Sequence, residues 1–250
     1  AQTREAQERI SQETAEMLLA ALSGSLAVAA VNLPFRPTGG RVEPYLGLGE
    51  SLGRMAGQLL GSAPQKLEVG LWGIEEGHQV PVSVAVLKGL LANFSVSGVN
   101  YVNAERIAAS RGIEVVRATH SGTGDYPNLI GVRLTGGGRR VEVDGTLFGD
   151  ADPRVVRFGG FRLEFRPEGQ LLVLENHDQP GVVGKLGGLL GEAGVNIADI
   201  HLARRTAPDG GETVALAVLR LDQEPGEEVV TRLRALPEVK SAHKIELGRR

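Results

Sequence analysis

The sequence predicts an α+β protein of two domains, a mixed α+β unit followed by a ferredoxin-like βαββαβ unit. Three observations carry this expectation. Apolar residues recur at helical spacing in some segments and alternate at strand spacing in others. Proline and glycine cluster at Val31–Pro44 and again at Arg166–Gln170, where the chain leaves one unit for the next. The last third has a strand and helix order that one sheet with both helices on one face satisfies. With 250 residues, 42% hydrophobic and 23% charged, the chain is long enough for two ordinary domains. The segments are drawn as 1–35, a terminal helix and linker, then 36–167 and 168–250. There is no internal repeat.

The opening segment, "AQTREAQERISQETAEMLLAALSG", reads as a helix with an apolar face of Ile10, Ala15, Leu18, Leu19 and Leu22 that ends at Ser23-Gly24. It lacks an initiator methionine and is expected to be the end of a preceding unit. An amphipathic helix at Tyr45–Leu60, a strand at Lys66–Trp72 and helices at Val82–Phe94 and Asn103–Arg111 follow. Four strands are then predicted at Glu114–Ala118, Leu129–Thr135, Arg140–Phe148 and Val155–Phe165, separated by glycine-rich turns such as "TGGGRR". In the last unit, strand Leu171–Glu175 leads to helix Gly181–Ala193 and strand Asn196–Thr206. Strand Thr213–Asp222, helix Glu227–Leu236 and strand Val239–Leu247 complete it.

Composition excludes several classes of function. A net charge of −3 gives no basic field for nucleic acid, and 4% aromatics leave few surfaces on which bases could stack. No apolar run approaches the roughly 18–20 residues a membrane-spanning helix needs. The absence of cysteine removes disulfides, thiolate chemistry and cysteine-held metal, and fits a cytoplasmic setting.

Catalytic motifs fail in turn. "GLGESLG", Gly47–Gly53, has the wrong spacing for a dinucleotide loop and no strand before it, and "GTGDYP", Gly122–Pro127, places proline where the last glycine belongs. The histidines, His78, His120, His177, His201 and His243, are scattered without metal-ligand spacing. His120 and Ser121 are adjacent, without an orienting partner, and read as loop. No catalytic residue and no metal site are assigned.

The stretch "ENHDQPGVVGKLGGLLGEAGVNI", Glu175–Ile197, is different. Pro180 presets the first helical φ, Gly181 permits close backbone approach, and Asp178 stands beside exposed N–H groups. A zwitterion suits such a place, with its carboxylate on the N–H groups and its ammonium on Asp178. Asn196, after the helix, offers a donor and an acceptor. The plainer alternative makes Asp178 an N-cap and Asn196 a turn residue. Spacing alone leaves the two readings level. On the helix itself, Val182, Val183, Leu186, Leu189, Leu190 and Ala193 form one face and Gly184, Gly187, Gly188 and Gly191 the other. Each interior glycine costs about 1 kcal/mol relative to alanine, so a second surface is expected to approach there.

The run "HDQPGVVGKLGGLLGEAGVNIADIHLAR" resembles the opening of an ACT domain, a ferredoxin-like amino-acid-sensing module, with D-x-P-G before the helix and G-V-N-I after it. "VNYVNAERIAASRGIEV", "YPNLIGV" and "DGTLFG" are similar to the intervening, allosteric-substrate-binding domain of long bacterial D-3-phosphoglycerate dehydrogenases, and "TREAQERISQETAEMLLAAL" to the helix that leaves their nucleotide-binding domain.

That resemblance implies an enzyme that oxidises 3-phosphoglycerate with NAD as the first step of serine synthesis, with L-serine inhibiting through the ACT domain. The catalytic set and the NAD-binding fingerprint have no counterpart here, so this chain is expected to be a regulatory part holding no cofactor of its own. The family's serine contacts fall on Asp178 and Asn196, with Gly181 and Val182 supplying backbone and Asn176 standing where relatives often carry His or Tyr. A cationic pocket for phosphate or a phosphorylated three-carbon acid falls on Arg154, Arg162, Arg166 and Arg220, beside Arg157. The family commonly joins ACT domains edge to edge, which implies self-association through the Asn196–Arg205 strand. Two alternatives are an L-serine dehydratase β subunit, whose S-S-S-H-T loop is missing, and a stand-alone amino-acid sensor.

Overall fold

The computed structural model describes residues 3–22, 42–94, 98–122, 125–206 and 213–248. Most of the predicted linker Val31–Pro44, and residues 207–212 with the sequence "APDGGE" between two predicted strands, lie outside the described residues. Helix α1 spans Arg4–Leu22, and Ile10, Leu18 and Leu19 are exposed, so the apolar face expected there finds no partner among the described residues.

The first domain runs α2 (Glu43–Leu60), β1 (Lys66–Trp72), α3 (Glu76–Leu91), α4 (Ala104–Ser110), β2 (Glu114–His120), β3 (Leu129–Gly136), β4 (Arg139–Phe148), β5 (Asp152–Phe158) and β6 (Phe161–Phe165). Its six strands lie in the order β2-β1-β3-β4-β5-β6, with only the β1/β2 pair parallel. Alternation decides the covered face. Leu67, Val69 and Leu71 of β1 are buried under the helices, while Lys66, Glu68, Gly70 and Trp72 point the other way. Helices α2 and α3 cross so closely that a methyl added at Gly53 would collide with the Val86 carbonyl, and one at Gly89 with the Glu50 carbonyl.

Three sequence expectations change here. Helix α3 begins at Glu76 and carries Pro81 inside it, because proline's fixed φ is helical and near the start it forfeits a single backbone bond. The strand expected at Val155–Phe165 is two strands, since Gly159 and Gly160 both take positive φ (54° and 83°) and turn the chain back. His120 ends β2 and stacks on Trp72 with ring centroids 4.3 Å apart, where a loop was expected.

The second domain is β7 (Gly169–His177), α5 (Val182–Glu192), β8 (Ile197–Thr206), β9 (Thr213–Leu221), α6 (Glu227–Arg234) and β10 (Val239–Leu247), in the sheet order β10-β7-β9-β8. This is the expected ferredoxin-like arrangement. Leu172, Leu174, Ala217, Leu219 and Ala242 pack under α5 and α6. Leu171, Val173, Ala203, Leu216, Val218, Ile245 and Leu247 face the opposite way and share one core with the first domain. Gln58 of α2 ties the join by donating to the Glu246 carbonyl (2.9 Å) and accepting from the Glu246 N–H (2.8 Å).

Candidate functional site

The loop between β7 and α5 is pinned from three sides. The His177 N–H donates to the Glu238 carbonyl (2.8 Å), the Asp178 N–H to the Thr213 carbonyl (3.3 Å), and buried Asn176 donates through Nδ2 to the His177 carbonyl (2.8 Å). Gly181 takes φ 88° to start α5, and no side chain caps the helix. The N-cap reading of Asp178 is thereby replaced: its carboxylate pairs with Arg204 Nε at 3.1 Å. Val182 buries its side chain in the core and leaves its backbone at the first turn.

Asn196 does not join this loop within one chain. Ile197 aligns with Leu221, and Leu221 with Gln170, whereas His177 aligns with Val214. Asn196 and Asp178 therefore lie at opposite ends of the sheet, ~23 Å apart at ~3.3 Å per strand residue. Helix α5 carries the chain back to the far end, so the expectation that both side chains surround one helix N-terminus is wrong for a single copy. Asn196 instead donates Nδ2 to Asp222 Oδ2 at 2.6 Å.

Strand β8 is an edge, and its alternation divides two environments. Asp199, His201, Ala203 and Arg205 face the first domain, while Ile200, Leu202 and Arg204 face the α5 side. Ile200 and Leu202 are exposed, and nothing lies within 4 Å of a methyl built at Gly184, Gly187, Gly188 or Gly191. Val183 and Ala193, placed on the covered face by the sequence, are exposed as well.

A cleft of about 240 Å³ opens between the domains, lined by Arg154, Arg166 and Arg220 together with His201, Asp199 and Glu168. Asp152 fixes two of these arginines, with Oδ2 2.6 Å from Arg154 Nη2 and Oδ1 3.2 Å from Arg166 Nη2. His201 Nε2 lies 3.0 Å from Asp199 Oδ2. Guanidinium groups held in this way present fixed donors to an oxyanion. Arg162 is not among them. It is 74% exposed and shares Asp125 with Arg157, at 3.2 Å and 3.1 Å. Strand alternation explains this, since Phe161 and Phe165 take the inward face of β6. His201 and Asp199 were missed by sequence reasoning; period-2 alternation from Ala203 along β8 would have found both. Among the described residues no group of three His, Asp or Glu side chains is placed to hold a metal.

Residues 41–159 match the D-3-phosphoglycerate dehydrogenase intervening domain, and residues 170–238 match the ACT domain. The chain belongs to these two domain families. It corresponds to the C-terminal part of D-3-phosphoglycerate dehydrogenase. It is 32% identical over 250 residues to that enzyme from Methanocaldococcus jannaschii, covering 99% of this chain and 47% of the relative. Identity is 34% to the Mycobacterium tuberculosis enzyme (99% and 46%) and 31% to the Synechocystis enzyme (99% and 45%). The chain thus spans about half the length of the curated relatives it matches. The intervening-domain match favours the dehydrogenase reading over a serine dehydratase subunit. Among the described residues, no helix is long and apolar enough to cross a membrane.

Proposed function

We propose that this chain is the effector-binding part of a cytoplasmic D-3-phosphoglycerate dehydrogenase, and that L-serine binds between two copies of its ACT domain. The observation that carries this is that Asp178 and Asn196 lie at opposite ends of a sheet whose edge strand, β8, is open to a second copy. If two β8 strands pair antiparallel about a twofold axis, each copy's Asn196 comes to the end of the sheet where the other copy holds Asp178. Serine's carboxylate then meets the backbone at Gly181 and Val182, its ammonium meets Asp178, and Asn176 and the second copy's Asn196 complete the site. NAD and the oxidation of 3-phosphoglycerate belong in this reading to other parts of the dehydrogenase. The Arg154, Arg166 and Arg220 cleft takes phosphate or a phosphorylated three-carbon acid.

Mixing Asp178→Ala with Asn196→Ala chains tests the shared site. Each variant alone should lose L-serine binding in titration calorimetry. A mixed dimer keeps one of its two sites intact, so mixing should restore part of the heat. No recovery on mixing, with subunit exchange verified, contradicts a site shared between copies.

A further inference from the structure

A second and larger cleft, of about 430 Å³, lies between the domains and carries different chemistry. Leu59 of α2, Phe158 of β5, Val173 of β7 and Leu216 of β9 give it apolar walls. Arg139, Arg140 and Arg205 supply its cations. Arg140 is neutralised by Glu142, with Nε 2.7 Å from Oε1. Arg139 spends one donor on the Leu60 carbonyl at 3.1 Å. Arg205 lies over the Phe161 ring, 4.7 Å from its centroid, and against Gly160, where a methyl would sit 2.7 Å from Nη1. The glycine turn that splits β5 from β6 therefore seats this guanidinium. Among the described residues no carboxylate is within ion-pair distance of Arg139 or Arg205, so both retain donors facing the cleft. Glu175, half-buried on the ACT side, supplies an acceptor.

Isolated cations beside an apolar wall match a ligand that is itself divided into a charged head and an apolar body. We propose that this cleft is a second effector site for a small amphipathic hydroxy or amino acid. Its carboxylate engages Arg139 and Arg205, its hydroxyl or ammonium donates to Glu175, and its apolar body lies on Leu59, Phe158, Val173 and Leu216. A volume of this size suits such a molecule, and charge-assisted bonds to guanidinium set its orientation. His243, which also lines the cleft, supports a positive field there. Burial first, then Arg139 and Arg234, lower its pKa from the ordinary 6.5. Because Arg205 adjoins Arg204, the partner of Asp178, a ligand held across this cleft pulls on the same strand that borders the serine loop. The site does not depend on serine binding, and none of its residues belongs to the serine site proposed above.

The test uses the 250-residue chain with 3-phenyllactate as probe and 3-phenylpropionate and inorganic phosphate as comparisons, followed by calorimetry and by the ring resonances of His243. Phenyllactate is expected to bind and shift His243, phenylpropionate to bind more weakly, and phosphate to leave His243 unmoved. Arg139→Gln/Arg205→Gln should weaken phenyllactate about tenfold or more, with Arg154→Gln/Arg220→Gln without effect. If the double variant does not fold, Arg205→Gln alone serves, since that side chain makes no ion pair among the described residues. No binding at about 10 mM phenyllactate, weaker than roughly 3 kcal/mol, overturns the proposal. So does binding that survives loss of Arg205, or that responds to Arg154 and Arg220 instead.

Discussion

Arg204 Nε lies 3.1 Å from Asp178 Oδ1, so the carboxylate expected to take serine's ammonium is already paired across from the edge strand. Arg204 is 75% exposed, and an exposed pair of this kind contributes at most ~1 kcal/mol. Arg204→Ala should leave the melting temperature almost unchanged and tighten L-serine binding by up to about fivefold, because serine no longer displaces a cation. Asp178→Ala should abolish binding. Titration calorimetry on the pair of variants separates competition from direct contact.

The reciprocal bonds between Gln58 and the Glu246 backbone join the two domains at α2 and β10. Gln58→Ala leaves both backbone groups without that partner. A loss of about 1–3 kcal/mol is expected, which lowers the melting temperature by roughly 2–4 °C for each kcal/mol. A single calorimetric transition that simply moves down indicates one cooperative unit; two transitions would show that the domains melt separately.

Glycine in a helix has opposite meanings in the two domains. Gly53→Ala gains about 1 kcal/mol of helix propensity but drives a methyl into the Val86 carbonyl, so net destabilisation of about 1–3 kcal/mol is expected in chemical denaturation. Gly188→Ala on α5 meets open space and should stabilise the isolated chain slightly. Gly188→Leu should weaken self-association and serine binding together if a second copy approaches that face. Sedimentation with and without serine measures this.

Burial, with Arg139 and Arg234 nearby, lowers the pKa of His243, so at mildly acid pH the unfolded chain binds the proton more readily than the folded one. The contribution therefore costs stability as pH falls below about 6.5 and vanishes above it. Glu227 and Glu238, held below the ordinary carboxylate value by Lys244 and Lys185, titrate at lower pH still. Denaturation midpoints from pH 7.5 to 5.5 should fall less steeply in His243→Gln than in the unmodified chain.

Much of the fold was legible in the sequence, since the βαββαβ order and the alternation of "KLEVGLW" each admit few arrangements. The site was legible in composition and not in placement. Asp178 and Asn196 are close in sequence, but an eleven-residue helix between them advances about 16 Å and delivers the chain to the other end of the sheet. Arg162 sits among arginines in sequence, yet one residue of strand alternation sends it to Asp125 and away from the cleft. Glycine pairs also conceal turns inside an apolar run, which is why β5 and β6 read as one strand.

The ACT sheet buries one face under its own helices and the other against the intervening domain, so neither face is free to stack on another copy. In a dimer built on this domain, the sheet itself would then contribute only through its edges. At the β8 edge, twofold pairing would merge two four-stranded sheets into one of eight and use up the open hydrogen-bonding edge on both sides, which closes the assembly at that seam. Tetramers or longer arrays would then need a second contact, at the opposite β10 edge, on the helices or in the other domain, and mutations on the sheet faces should alter folding without changing the number of subunits.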